Sequence, residues 1–234
     1  MPKLQFDRPG ERLYETGVEQ VALFPVGANN SYGAGVAWNG VSQITDTPSG
    51  GEPTKIYADN INYLTMYSIE TLGGTIEAYM YPDEFEQCDG SVDVTPGVAV
   101  KAQTRKAFGL VYQTLVGNDT QGTDYGKKMH FLYGCKVSPS EQTHQTVNES
   151  PEATTMSWSF TTTPVAVTGA KATPKVVVDS TKVAPEAWAA LEAAVYGTEN
   201  TNAAFLTPDE IKALIEENTP SGNTTPSSNE EPEG

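Results

Sequence analysis

The residues best placed to do chemistry lie in YPDEFEQCDGS, at positions 81–91, where four carboxylates and a cysteine fall between Asp83 and Asp89. Such a cluster could hold a metal ion or run acid–base catalysis. Read as a short helix, every position has a simpler role. Pro82 suits the first helical position, and Asp83 and Glu84 then occupy the first turn, where exposed N–H groups and the helix dipole favour negative charge. Phe85 and Cys88 are three apart, share a face, and can dock on a sheet. Gly90 supplies the left-handed residue that ends the helix. Phe85 and Cys88 then point inward while Glu84 and Glu86 point to water, which splits the cluster. The expectation is helix–sheet packing by Phe85 and Cys88, with no metal and no cofactor.

Other candidates are weaker. GNDTQGTDYG at 117–126 has the GxxxxG spacing of a phosphate loop in Gly117 and Gly122, but Thr123 and Asp124 follow where Lys and Ser or Thr are required. Asp119 and Asp124 lack the spacing and closing glutamate of a calcium loop, so a flexible hairpin loop is expected. The two histidines, His130 and His144, fall on the polar face of a strand and in a Thr/Gln-rich stretch. Neither a GxSxG elbow nor HExxH is present. Cys88 and Cys135 form no CxxC pair and read as two packed thiols. No catalytic set emerges, and the chain is not expected to be an enzyme.

The elements that would position these residues are mostly strands. Met156, Trp158 and Phe160 alternate with small polar residues, the period of a half-buried antiparallel strand. Met129, Phe131, Tyr133 and Cys135 repeat the pattern, with Lys128, His130 and Lys136 on the opposite side. Phe108–Val116 is apolar on both faces and reads as a central strand. Further strands are expected at 18–26, 35–45, 55–58, 61–67 and 75–81, separated by TPSGGEP, GG and GNDTQGTDYG. Many short strands with Gly/Pro turns predict a mainly β protein, two packed antiparallel sheets in a β-sandwich or barrel, with one short helix at about 82–89.

From Val183 the period changes. APEAWAALEAAVYG has Pro185 at a first helical position, Trp188, Leu191 and Val195 at helical spacing, and Gly197 as a stop. In LTPDEIKALIEEN, Thr207 and Glu210 form a capping box and Ile211, Leu214 and Ile215 one apolar stripe. The expected organisation is an N-terminal arm at 1–17, a β-sandwich at 18–180, a two-helix extension at 181–218 and a disordered acidic tail at 219–234.

The 234 residues carry a formal charge of −16, which repels nucleic acid on average and favours solubility. No apolar run approaches the ~20 residues that span a bilayer. The opening MPKLQFDRPGERLYETG has no apolar h-region, so synthesis in a cytoplasm is expected.

Several stretches in order, YADN (57–60), GGTIEAYMYPDEFEQCDG (73–90), RKAFGLVYQTLVGNDTQGTDYGKKMHFLYGC (105–135), NESPEA (148–153) and WSFTTTPV (158–165), resemble the major tail (tail tube) proteins of long-tailed, non-contractile bacteriophages. VVVDSTKV (176–183), the helix ending in YGTE (196–199) and FLTPDE (205–210) resemble the C-terminal part of the same family. The resemblance spans roughly residues 10 to 216. It implies two antiparallel sheets packed with a helix, hexameric rings stacked along a tape-measure protein and closed by tail-terminal proteins, and a virion location. Duplex DNA would pass through the lumen without specific binding, because basic lumen residues would trap it through counterion release. Subunit contacts need free edges and long arms. The arm, with Leu13 and Tyr14, and the Pro/Gly-rich loop 45–60, with Pro48, Pro53, Ile56 and Tyr57, are the candidates. The alternative is a virion or cell-surface β-sandwich module that binds carbohydrate or protein, marked by exposed aromatic residues on one loop edge.

Overall fold

A computed structural model describes residues 4–144, 146 and 153–220. Its strands are β1 (Leu13–Pro25), β2 (Val36–Ala37), β3 (Val41–Ser49), β4 (Pro53–Ala58), β5 (Ile61–Tyr67) and β6 (Thr71–Ala78). A 3-10 turn at Asp83–Phe85 leads into helix α1 (Glu86–Asp89), followed by β7 (Val92–Thr95), β8 (Val98–Val100), β9 (Phe108–Asn118), β10 (Gly122–Val137), β11 (Met156–Thr161) and β12 (Lys175–Asp179). Helices α2 (Pro185–Tyr196) and α3 (Pro208–Glu217) close the described chain. The protein is mainly β, with antiparallel sheets packed on one another, as the alternation of apolar residues predicts.

The strands run in the order β2-β1-β9-β10-β11-β6-β3, with β12 also on β10, and all pairs are antiparallel. Strand β10 belongs to both halves of the sandwich. Its residues Lys128–Leu132 pair with β12, whereas Lys136 and Val137 pair with β11. Between them the register breaks at Gly134, whose φ of 57° suits a residue without a Cβ, and a Cβ there would come within 2.8 Å of Thr163. The bulge corrects the expected face of Cys135. Met129, Phe131 and Tyr133 lie on one side, and Cys135 moves to the other, joining Leu132 and Val137.

The sandwich interior holds Leu23, Trp38, Ile76, Phe108, Leu110, Trp158 and Phe160. A second core lies on the outer face of β1, β9, β10 and β12, where Phe24, Val111, Phe131 and Tyr133 meet Leu191 and Val195 of α2, Phe205, and Ile211 of α3. The helices therefore cover their own sheet. This explains why β9 is apolar on both faces: it separates two cores. Phe205 lies where it does because Gly109 has no side chain; a Cβ there would lie 2.6 Å from the ring.

Local signals set the helix ends. Thr207 and Glu210 form both halves of the capping box, with Pro208 next in the helix. Gly90 ends α1 with φ 79°. Pro82 has extended angles and precedes the first helical residue, Asp83, so the start of that turn lies one residue later than expected.

Two other boundaries move. Residues 13–17, expected in the arm, belong to β1, with Leu13 opposite Asn118 and Tyr14 opposite Gly117. The expected loop 45–60 is largely strand, being the end of β3, β4 and the turn into β5. Most of the expected acidic tail, residues 221–234, lies outside the described residues.

Candidate functional site

The acidic stretch 81–91 comes apart in space. Phe85 is fully buried, its ring 4.4 Å from Trp38, 5.2 Å from Trp158 and 5.7 Å from Phe108 by centroids. Edge and tilted contacts of this kind add to the area that the ring buries. Cys88 is buried beside it, and that burial pushes the thiol up to about 12. Such a thiol is protonated and inert near neutral pH. The carboxylates diverge: Asp83 and Glu84 lie exposed in the first turn, and Asp89, whose side chain is 13% exposed, lies 3.9 Å from Lys101. Among the described residues no group of three His, Cys, Asp or Glu is placed to hold a metal ion.

The 117–126 stretch is also structural. Its turn is only three residues long, with Gly122–Gly126 already in β10. The Asn118 side-chain oxygen accepts hydrogen bonds from the amides of Thr120 and Gln121, and Asp119 accepts one from Gly10 N–H. The arm is tied down at that point.

His130 lies on the polar side of β10, opposite Met129, Phe131 and Tyr133, as expected, but it is buried there: it is 6% exposed and stacks flat on Tyr112 at 4.5 Å. It lies in a network that crosses five strands. Thr114 Oγ1 donates to Glu15 at 2.7 Å, so His130 Nε2 must donate to Thr114 at 2.9 Å, which places the imidazole proton on Nε2. Lys128 pairs with Glu15, and Lys175 pairs with Asp46 while donating to the Tyr112 hydroxyl at 3.0 Å. His130 Nδ1 is buried with no partner. Burial, reinforced by the charge of Lys175, lowers the imidazole to about 4. The trio Glu15, His130 and Thr114 is not a relay. In a relay the acid and the nucleophile occupy opposite ring nitrogens. Here both lie on the Nε2 side, 3.5 and 2.9 Å away, and the hydroxyl proton goes to the carboxylate.

The cleft between β1, β2 and α2 holds about 710 Å³ and is lined by Glu19, Gln20, Trp38, Glu192 and Tyr196. Its acids are already engaged: Glu19 accepts from Lys127 at 2.7 Å and Glu192 from Gln113 at 2.9 Å.

The expected contact residues occupy three separate elements. Leu13 and Tyr14 are exposed at the start of β1, where the Tyr14 ring lies over Gly117. Pro48 is on β3 opposite Leu72. Pro53, Ile56 and Tyr57 come together on the β4–β5 hairpin, a separate two-stranded sheet that pairs with no other described strand. Here the sequence reading was incomplete. Ile61, Tyr63, Leu64, Met66, Tyr67 and nearby Ile69 are also exposed on this arm, Tyr63 to 70% and Tyr67 to 71%. Cross-strand partners share a face, so Ile56, Leu64 and Met66 lie on one side and Ile61, Tyr63 and Tyr67 on the other. The available signal was INYLTMY itself, a strand without charge and with large side chains at both parities. A second isolated hairpin, β7–β8, exposes Val92, Val94, Val98 and Val100 around a turn at Pro96-Gly97. It was missed although VDVTPGVAV alternates around that turn.

No protein-family model matches the chain, and no curated protein matches it. Among the described residues, no helix is long and apolar enough to cross a membrane.

Proposed function

We propose that this chain is a structural subunit that assembles with copies of itself into stacked hexameric rings, forming the tail tube of a long-tailed, non-contractile bacteriophage. The observation that carries the reading is the pair of isolated hairpins. A two-stranded hairpin is marginal alone in water, and one with large apolar side chains on both faces needs a surface to cover it. The β4–β5 arm has none within the described chain. The sequence resemblance names the assembly; the hairpins supply the physical need for one. Rings would stack along a tape-measure protein, meet tail-terminal proteins at the ends, and pass duplex DNA without specific binding. The polar clusters support this role, because their groups are spent on one another across strands.

A second reading has its own support. Tyr57, Tyr63 and Tyr67 are exposed on one hairpin, as in a module that binds carbohydrate or protein. Negative-stain microscopy with light scattering across a concentration series separates the two. Assembly gives rings or tubes ~100 Å wide, the size of helix-backed sheet layers around a duplex. A strict monomer at high concentration, together with glycan or protein binding lost in Tyr63→Ala, would establish the second reading instead.

A further inference from the structure

The assembly reading leaves open what receives the β4–β5 arm, and one surface of the chain matches it. Strand β12 pairs with β10 along one edge; among the described residues no strand pairs with its other edge. Beside that free edge, helix α3 overhangs a groove of about 750 Å³ lined by Val177, Val183, Ile211 and Ile215. Val177 is 46% exposed in the middle of the edge. A bare, apolar strand edge of this kind templates pairing with another strand.

The arm has the complementary features. Among the described residues strand β5 pairs only with β4, so its outer edge is also free there. Its seven residues, INYLTMY, carry no charge; one row holds Leu64 and Met66 with Asn62, the other Ile61, Tyr63 and Tyr67 with Thr65. Laid along β12, either row brings no charge of its own to the valine and isoleucine side chains of the groove, whose lining also includes Lys128, Asp179, Asp209 and Glu216. The charge on the arm's turn is opposite to that of the lysines on the groove's rim, which also carries Asp179, Asp209 and Glu216. The arm's turn carries Asp59, and the groove's rim carries Lys182, 3.7 Å from the largely buried Asp179, and Lys212, 3.9 Å from Glu216 in a pair exposed on both sides. Exposed pairs of that kind are weak and exchange readily.

We propose that β5 of one subunit adds as an extra strand to the free edge of β12 in a second copy, with its side chains in the groove beneath α3. The inference rests on the assembly reading and names its contact. Arm and groove are different surfaces of one chain, so the contact is head-to-tail: each subunit gives one arm and receives one. Such contacts close into rings or grow as filaments rather than stopping at a two-fold dimer. Backbone hydrogen bonds along the two free edges supply affinity, and the apolar rows set the register.

The test uses the full chain and two variants at exposed positions. Leu64→Asp spoils the arm and leaves the groove; Val177→Lys spoils the edge and leaves the arm. Wild type is expected to assemble as concentration rises, and each variant alone to stay monomeric. An equimolar mixture is expected to stop at a 1:1 dimer, because one sound arm meets one sound groove and nothing further can add. Coincident thermal melts show that the fold is kept, with Tyr63→Asp replacing Leu64→Asp if its melt shifts. Assembly of either variant as wild type, or a mixture that stays monomeric, overturns the proposed contact while leaving assembly standing. A wild type that never assembles overturns the assembly reading, and the contact with it.

Discussion

His130 offers a quantitative check of the buried network. Its imidazole titrates near 6.5 in an unfolded chain and at about 4 in the folded one. The base is harder to protonate when folded, so protons bind the unfolded state first. The stabilisation is complete above the unfolded value and is lost as pH falls from there toward the folded one. Each tenfold difference in proton affinity between the two states is worth about 1.4 kcal/mol, so the loss reaches roughly 2 kcal/mol at about pH 5 and roughly 3 kcal/mol below about pH 4. The cause is geometric. Nε2 already donates to Thr114, and a proton added to Nδ1 would find no acceptor in the interior. The surrounding charges are Lys128 and Lys175 against Glu15 and Asp46, with the Tyr112 ring stacked on the imidazole.

The assay is urea unfolding of wild type and His130→Gln at about pH 7 and about pH 5, comparing the two differences. Glutamine can still donate to Thr114 and does not titrate. Glu15 does not confuse the window. Burial alone would raise its carboxyl, but the hydrogen bonds from Lys128 and Thr114 and the charge of Lys128 outweigh this and hold it below 4.5. Its contribution is therefore lost only as pH falls below that window. Wild type is expected to lose roughly 2 kcal/mol more than the variant between the two pH values. Equal losses would refute both the buried neutral imidazole and the proton placement on Nε2.

Three further outcomes follow from the packing. Phe85→Ala removes a fully buried ring from between Trp38, Trp158 and Phe108 and should cost about 3–5 kcal/mol in urea unfolding; a loss under about 1 kcal/mol would mean that the ring is not in the core. Gly90→Ala places a Cβ on a residue at φ 79° and within 2.9 Å of the Gln103 carbonyl. It should destabilise by about 1–2 kcal/mol, read as a lower melting temperature. Cys88 and Cys135 are both buried and both raised by burial, so neither should react with a thiol reagent at neutral pH until urea unfolds the chain; stoichiometric reaction of the folded protein would contradict their placement.

Much of the fold was legible because its determinants are local. The pair Thr207 and Glu210, the stop at Gly90 and the period of Met156, Trp158 and Phe160 each act within a few residues, and each did in space what its spacing predicts. The parting of YPDEFEQCDGS into a packed Phe85/Cys88 pair and exposed Asp83 and Glu84 was legible for the same reason; the burial that reaches Asp89, whose side chain is 13% exposed, was not. What the sequence left open depends on partners far along the chain. Gly134 looked like one more glycine in a strand; only its packing against Thr163 makes it the bulge that moves Cys135 into the sandwich. His130 stood at a polar position in the alternation, and only Tyr112, Thr114 and Glu15, brought from two other strands, turn that position into an interior. INYLTMY read as an ordinary strand of the sheet. Tertiary structure decided that, among the described strands, it pairs with β4 alone and keeps its large side chains exposed. Periodicity tells a strand which of its faces are apolar; which neighbour covers them is settled by contacts across the whole chain.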